Sequence, residues 1–330
     1  MSDTVSIIIP AYNAASRIRE CLDSVIEQDY PDIEIIVVDD ASDDGTGDIA
    51  RVILGSSGRK YQIMTHSANM GVSAARNTGL EALRGEYVCF VDADDVLREN
   101  FISCLHSAAL HEECDVVFCG LTDRFTDGRP DKDMHSLQVK PYVSTGENFI
   151  LGNYVPPLFC CIYRTDLIRR SGISFLEGCT SGEDTDFITI ALCRAEKVTF
   201  IRECLYIYMH HDDMGSVRDN NTRDKKILRY EHNTLAQLRT AKYILEYAQS
   251  RELKDMAGKV LMPQNVIRRL NIAAMKNDME AYRLLLSAKE NTAALHKALG
   301  MFTLKRKPEV FLKALMILLM PGIYYRMRKE

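Results

Sequence analysis

The chain has 330 residues, 46% apolar and 26% charged, enough for about two domains, or one domain with an appendage, around a large core. A net charge of −5 gives no whole-chain basic footprint for nucleic acid, and ten cysteines without C-x-x-C spacing exclude a disulfide scaffold in favour of a reducing cytosol. The opening Met-Ser-Asp-Thr runs into a short apolar strand, so no secretory or transit signal is expected, and no apolar run has the length of a membrane span.

Val5–Ile9 reads as a first strand, nearly all apolar, as in a parallel sheet covered on both faces, and Pro10-Ala-Tyr-Asn13 breaks it. Ile18, Cys21, Leu22, Val25 and Ile26 recur at helical spacing and predict an amphipathic helix ending near Tyr30-Pro31. Glu34–Val38 is a second buried strand running into Asp39-Asp40. A polar turn, Ala41–Thr46, then opens a short helix carrying Ile49, Val52 and Ile53. Tyr61–Thr65 is a third strand, and Asn69-Met-Gly71 turns into a helix holding Ala74, Ala75, Thr78, Ala82 and Leu83. Tyr87–Val91 and Asp115–Cys119 read as fourth and fifth strands, with a helix around Asn100–Ala109 between them. This alternation predicts an α/β class with a Rossmann-like, mostly parallel sheet. Leu121–Thr145 reads as a polar loop region. Tyr163–Ile168 reads as a strand end and helix start, and Val198–Ile201 and Cys204–Met209 as two short strands. From Thr222 the pattern is helical, dividing the chain into an α/β domain, 1–218, and a helical region, 219–330.

In such sheets ligands collect at the carboxyl ends of strands, and three ends here carry unusual chemistry: Pro10–Asn13, Asp39–Asp40 and Asp92–Asp95. In an extended chain Asp92 and Asp94 share a face and Asp95 takes the other, so the first two make a seat for a hard divalent cation. The plainer account is a capped turn, with Asp94 or Asp95 opening the next helix. Neither G-x-G-x-x-G nor G-x-x-x-x-G-K-[ST] occurs, so a nucleotide would be held by another device. Glu183-Asp184, behind Ser181 or Gly182 as cap, sit where first-turn acids favour a helix dipole. His210-His211-Asp212-Asp213 set two histidines beside acids at a strand's end, a pattern open to either a structural or a ligand role.

Five motifs in order resemble the family 2 glycosyltransferases, inverting enzymes with the A-type nucleotide-sugar fold, over roughly residues 4–215. They are Val5–Asn13, Ile36–Thr46, Asn69–Gly79, Phe90–Asp95 and Gly182–Phe187. The resemblance implies that Pro10, Ala11, Tyr12 and Asn13 surround the nucleobase, that Asp40 accepts from the N–H of uracil, and that Arg76 reaches the nucleotide. It makes Asp92-Ala93-Asp94 the D-x-D element on ribose and diphosphate, with Mg²⁺ or Mn²⁺ held by Asp94, Asp95 and His211. It makes Asp184, paired with Glu183, the general base. The family's arginine after Tyr-x-Tyr is replaced by Met209, and the segment before Ser216 is one residue longer. The Q-x-x-R-W element of processive synthases is missing from a chain with no Trp, which implies a single addition.

The implied activity is metal-dependent, inverting, hexosyltransferase-type transfer of one sugar from a UDP-sugar to a hydroxyl of a glycan or lipid-linked glycan, in bacterial surface polysaccharide synthesis. No nucleic-acid partner is expected. Two rival readings are a nucleotidyltransferase, which would show a Gly-rich basic signature after the first strand, and a non-catalytic nucleotide-sugar-binding or scaffold protein, which would lack one of these acids. The final segment, 305–330, flanks Val310–Met320 with Lys305-Arg-Lys307 and Arg326–Lys329. It fits either an interfacial anchor on an anionic membrane, placing a cytoplasmic protein on the inner face, or a helix docked on the protein or on a second subunit in a homodimer. Donor choice is expected to rest with the loops 121–145 and 155–161.

Overall fold

Nine strands among the described residues form one sheet in the computed structural model, which describes residues 4–134, 140–211 and 222–329. They are β1 (Val5–Ala11), β2 (Ile33–Asp39), β3 (Lys60–Thr65), β4 (Tyr87–Phe90), β5 (Val96–Leu97), β6 (Val116–Phe125), β7 (Lys132–Met134), β8 (Cys161–Arg164) and β9 (Val198–His210). Their order is β3-β2-β1-β4-β8-β6-β9-β5, with β7 on β6. The first four and the β6–β9 pair run parallel, while β8 runs antiparallel to both β4 and β6. Interleaved are α1 (Ile18–Ile26), α2 (Thr46–Gly55), α3 (Val72–Ala82), α4 (Phe101–Glu112), α5 (Gly146–Leu151), α6 (Thr165–Arg170) and α7 (Glu183–Arg194). The fold is the mixed α/β, mostly parallel architecture of A-type nucleotide-sugar transferases, followed by helices.

Every residue of β1 and β2 is buried, because helices cover both faces of the sheet there. Val5, Ile7 and Ile9 join Ile18, Leu22 and Val25 in one core. Ile8 points the other way, toward α3. A Cβ on Gly79 would lie 2.5 Å from Ile8 Cγ2, so α3 rests almost directly on β1. Burial of each such aliphatic side chain contributes roughly 1.5–3 kcal/mol.

Three departures from the sequence pattern have physical causes. The two strands expected over 198–209 are one, because β9 stays paired with β6 through a bulge at Phe118–Leu121. Asp94 and Asp95 do not cap α4: Asn100 occupies its N-cap, and β5 intervenes to pair with β9. The polar stretch after Leu121 continues β6 and adds β7, since backbone pairing needs no apolar alternation at an edge.

The chain divides into two compact units, Met1–Gly215 and Ser216–Glu330. The second is helical: α8 (Arg223–Tyr247), α9 (Arg251–Met256), a π turn at Ala257–Leu261, α10 (Met262–Met275), α11 (Met279–Ser287), α12 (Lys289–Lys297), α13 (Met301–Arg306), α14 (Pro308–Leu319) and α15 (Pro321–Lys329). Thr222, Ser250 and Asp278 cap α8, α9 and α11 by accepting from a backbone N–H three residues on, each worth about 1 kcal/mol. Its core joins Leu270, Ala274, Tyr282 and Leu295 to Val310, Ala314, Ile317, Tyr324 and Tyr325, so the terminal helices dock one face inward. No single helix among the described residues is long and apolar enough to cross a membrane.

Candidate active site

Helix α3 organises the site by presenting Ser73, Arg76 and Asn77 on one face, at the spacing of three and four residues that stacks side chains. Asn77 donates to Phe175 O at 3.1 Å and to Glu177 Oε1 at 3.0 Å and accepts from Phe175 N–H at 2.8 Å. Ser73 Oγ donates to Cys179 O at 3.4 Å. These bonds tie down the segment that leads into α7. Phe175 is stacked on Phe187 at 4.1 Å, both edge-on to Phe90 of β4, which locks the same segment against the sheet.

Arg76 lies between them, fully buried, its guanidinium 5.3 Å from the Phe175 ring. One Nη donates to Asp184 Oδ1 at 2.5 Å and the other to Asp92 Oδ1 at 2.8 Å, while Glu183 Oε1 is 4.0 Å away. Asp184 and Asp92 raise the arginine pKa against the cost of burial, so it stays charged. One cation therefore faces three carboxylates. Glu183 is buried, its Oε2 has no hydrogen-bond partner among the described residues, and burial together with Asp184 pushes its carboxyl up to about 7. Burial also raises Asp184, with Asp92 adding to it and Arg76 opposing; its side chain remains 37% exposed.

The Asp92–Asp95 stretch is a turn, closed by Asp95 N–H donating to Asp92 O at 3.0 Å, yet burial still alternates along it. Asp92 and Asp94 are half-buried. Asp95 is 1% exposed, with Oδ2 accepting from Tyr206 Oη at 2.7 Å and Oδ1 from Met209 N–H at 2.8 Å. Both oxygens of Asp95, expected at the metal, are turned inward in this structure and hold β9. Burial and Asp92 push its carboxyl up to about 8. Tyr206 Oη also accepts from Asp92 N–H at 3.3 Å, so this clamp fixes the turn itself.

Asp94 is pushed up by burial and by Asp92, with Arg17 and His211 pulling the other way. His211 Nε2 lies 3.4 Å from Asp94 O, while its neighbour His210 faces Asp123 at 2.9 Å and stacks on Phe125. Asp212, Asp213 and the segment before Ser216 lie outside the described residues. Among the described residues no group of three or more His, Cys, Asp or Glu side chains is arranged to hold a metal by itself. A crowded Asp92–Asp94 pair with a histidine beside it does fit a hard cation whose remaining ligands are phosphate oxygens.

The strand-end motifs converge as well. Asp40 is 3% exposed, and its carboxylate accepts from Met70 N–H at 2.9 Å, Gly71 N–H at 2.7 Å and His66 Nδ1 at 2.6 Å. Asp40, expected to accept from a nucleobase, holds the 66–71 turn and so builds part of the wall of the site. Arg76, expected to reach the nucleotide, has both Nη atoms engaged with Asp92 and Asp184. Asn13, in left-handed backbone at φ 49°, accepts from Asp43 N–H at its side-chain oxygen and donates its own N–H to Ser42 Oγ. This latch leaves Tyr12 52% exposed at the end of β1, while Pro10 and Ala11 are buried in the strand. His66 and Asn77 were given no role from the sequence, and Tyr206 entered only as part of the Tyr-x-Tyr pattern before Met209; the signal for Asn77 was its place beside Arg76.

An α/β sheet with an aspartate turn at the end of β4 and an acidic pair opening a helix across from it defines the class of nucleotide-sugar-dependent transferases. Residues 6–172 match the model of the glycosyl transferase family 2, and the chain belongs to that family of inverting glycosyltransferases. It is 35% identical to the uncharacterized glycosyltransferase EpsJ of Bacillus subtilis, over 63% of this chain and 61% of that protein. It is 30% identical to the poly(ribitol-phosphate) beta-N-acetylglucosaminyltransferase TarS of Staphylococcus aureus, over 62% of this chain and 35% of that one. The structure of TarS 1–349 in complex with UDP-GlcNAc superposes with a TM-score of 0.66 at 23% identity, covering 99% of this chain and 88% of that one. The mannosyltransferase PcManGT of Pyrobaculum calidifontis, in complex with GDP-Man and Mn²⁺, superposes at 0.54 and 20% identity, covering 96% and 87%. At these identities the two structures establish the shared fold.

Proposed function

We propose that the protein transfers a single sugar from a UDP-sugar to a hydroxyl of a glycan acceptor, with inversion, in the synthesis of a surface polysaccharide. The carrying observation is the bridge from Arg76 to Asp92 and Asp184, which brings a donor-side carboxylate and a base candidate together on one buried cation. TarS, a UDP-GlcNAc-bound relative in fold that acts on poly(ribitol-phosphate), supports the donor and acceptor classes.

In this reading Tyr12, exposed at the end of β1, offers its ring face to the nucleobase beside Pro10, Ala11 and Asn13. Asp92 and Asp94, with His211, would hold a divalent cation, which would neutralise charge on the departing diphosphate. Asp184 takes the proton of the acceptor hydroxyl as its oxygen attacks the anomeric carbon. Burial lifts its proton affinity toward the working pH, where a general base is most effective. One base opposite one leaving group gives a single displacement, and inversion follows. An acceptor carried on lipid would bring the protein to the inner face of the cell membrane as a peripheral protein.

Calorimetric titration of UDP with Mn²⁺, and again with EDTA, tests the reading, with GDP, CMP and dTDP for comparison. Binding of UDP only in the presence of metal is expected, and Asp184→Asn should keep that binding while losing about 10²–10⁴-fold in turnover of the UDP-sugar that the wild type accepts. Preference for another nucleotide overturns the donor assignment, metal-independent binding overturns the cation, and full turnover by the variant overturns the base.

A further inference from the structure

The helical unit carries an apolar surface that its own core leaves uncovered. In α14 and α15 the inward face is Val310, Ala314, Ile317, Tyr324 and Tyr325. Opposite it, Leu312 is 56% exposed, Leu319 67% and Met327 61%, with Met320 and Ile323 each 45%. Leu312 and Leu319 are seven residues apart, and Ile323 and Met327 four, so each helix shows an apolar stripe to solvent. The two helices meet at a bend of 116°, where Pro321, without an N–H, starts a new helix, and Leu319, Met320 and Ile323 crowd that elbow.

Charge singles out one partner for this surface. Seven cations and two acids lie in 305–330, so the segment is net +5 in a chain of net −5. Lys307 precedes the elbow helices and Arg326, Arg328 and Lys329 end them, all of these exposed. A solvated apolar stripe bordered by cations matches the boundary between acyl chains and anionic headgroups, where each Lys or Arg adds roughly 1 kcal/mol of attraction. Neither helix alone matches a span, although the bent pair together has the length and composition of a broken one. The 12 residues of α14 rise about 18 Å against a hydrocarbon core of about 30 Å. Spanning would also strip Val310, Ala314 and Ile317 from the core they complete.

We propose that the α14–α15 elbow lies in the plane of an anionic membrane, inserting Leu319, Met320 and Ile323 while its cations contact lipid phosphates. This deepens the peripheral placement proposed above by naming the element responsible, and it stands on the helical unit alone. The test is co-sedimentation of the full chain with vesicles of phosphatidylcholine, alone or mixed with phosphatidylglycerol, together with light scattering in the absence of lipid. Preferential sedimentation with the phosphatidylglycerol vesicles is expected, weakened by salt. A Leu319→Glu/Ile323→Glu variant, altered only at exposed positions, should lose more than about tenfold in vesicle affinity while keeping its melting temperature. Equal binding to neutral vesicles, no binding, or undiminished binding by the variant overturns the proposal. So does a wild-type dimer that the variant splits without a change in vesicle binding, which would make the elbow an interface between copies. UDP binding is read separately, so failure here leaves the transferase reading intact and the reverse also holds.

Discussion

Glu183 is where burial and charge conflict most openly. Its carboxyl is held near 7 against an ordinary 4.5, because burial disfavours the charged form and ionisation would also set a second anion beside Asp184. The folded protein therefore binds this proton more tightly than the unfolded chain does. Its contribution to stability is complete below the unfolded value and is lost as pH rises through about 7. Glu183→Gln removes the titration at nearly constant shape. The melting temperature of the variant relative to the wild type should thus climb between about pH 5 and pH 8, as measured by calorimetric scans. A flat difference would mean that the proton is held elsewhere. Asp95 shows the same physics put to structural use: a carboxylate that would be costly to bury alone is satisfied by Tyr206 Oη and Met209 N–H.

Helix α3 is the element on which the site depends, and its distance from β1 is set by one missing side chain. With a Cβ at Gly79 only 2.5 Å from Ile8 Cγ2, and 3.1 Å from Cγ1, alanine there must displace the helix or the strand. Overpacking of that kind costs about 1–3 kcal/mol, partly offset by the roughly 1 kcal/mol better helix propensity of alanine. Gly79→Ala should lower the urea midpoint, and it should also weaken UDP binding, since Arg76 and Asn77 move with the helix. An unchanged midpoint would show that α3 tolerates a wider separation. The small residues of this helix were legible in the sequence as Ala74, Ala75 and Gly79. Their reason, close approach to a buried strand, was not, because apolar spacing records which face is inward and not how near the neighbour lies.

For the whole molecule, nine of the ten cysteines are buried and Cys104 is half-buried, the most accessible thiol. Burial pushes Cys89 well up, and Cys114 and Cys204 up to about 11, so these thiols stay protonated and unreactive at neutral pH. A thiol reagent should therefore label Cys104 before any other cysteine in the native protein, and the other nine only on unfolding; equally fast labelling of several would contradict the described packing. Cysteine spacing set the burial of no thiol; that came from packing.

The sequence alone determined the alternation of strands and helices, the parallel sheet and the clustering of acids at strand ends. Each of these is written in local periodicity, two residues for a strand and 3.6 for a helix. It singled out Asp92, Asp94, Glu183 and Asp184 as unusual, because acids next to apolar runs stand out without any partner in view. Only the tertiary structure decided what each acid does. Arg76 meets Asp184 across 108 positions and Asp95 meets Met209 across 114, and no local pattern encodes a partner that distant. Asp40 and Asp95 show why: a carboxylate's chemistry depends on the groups around its lone pairs, and in both residues those groups arrive from other elements of the fold.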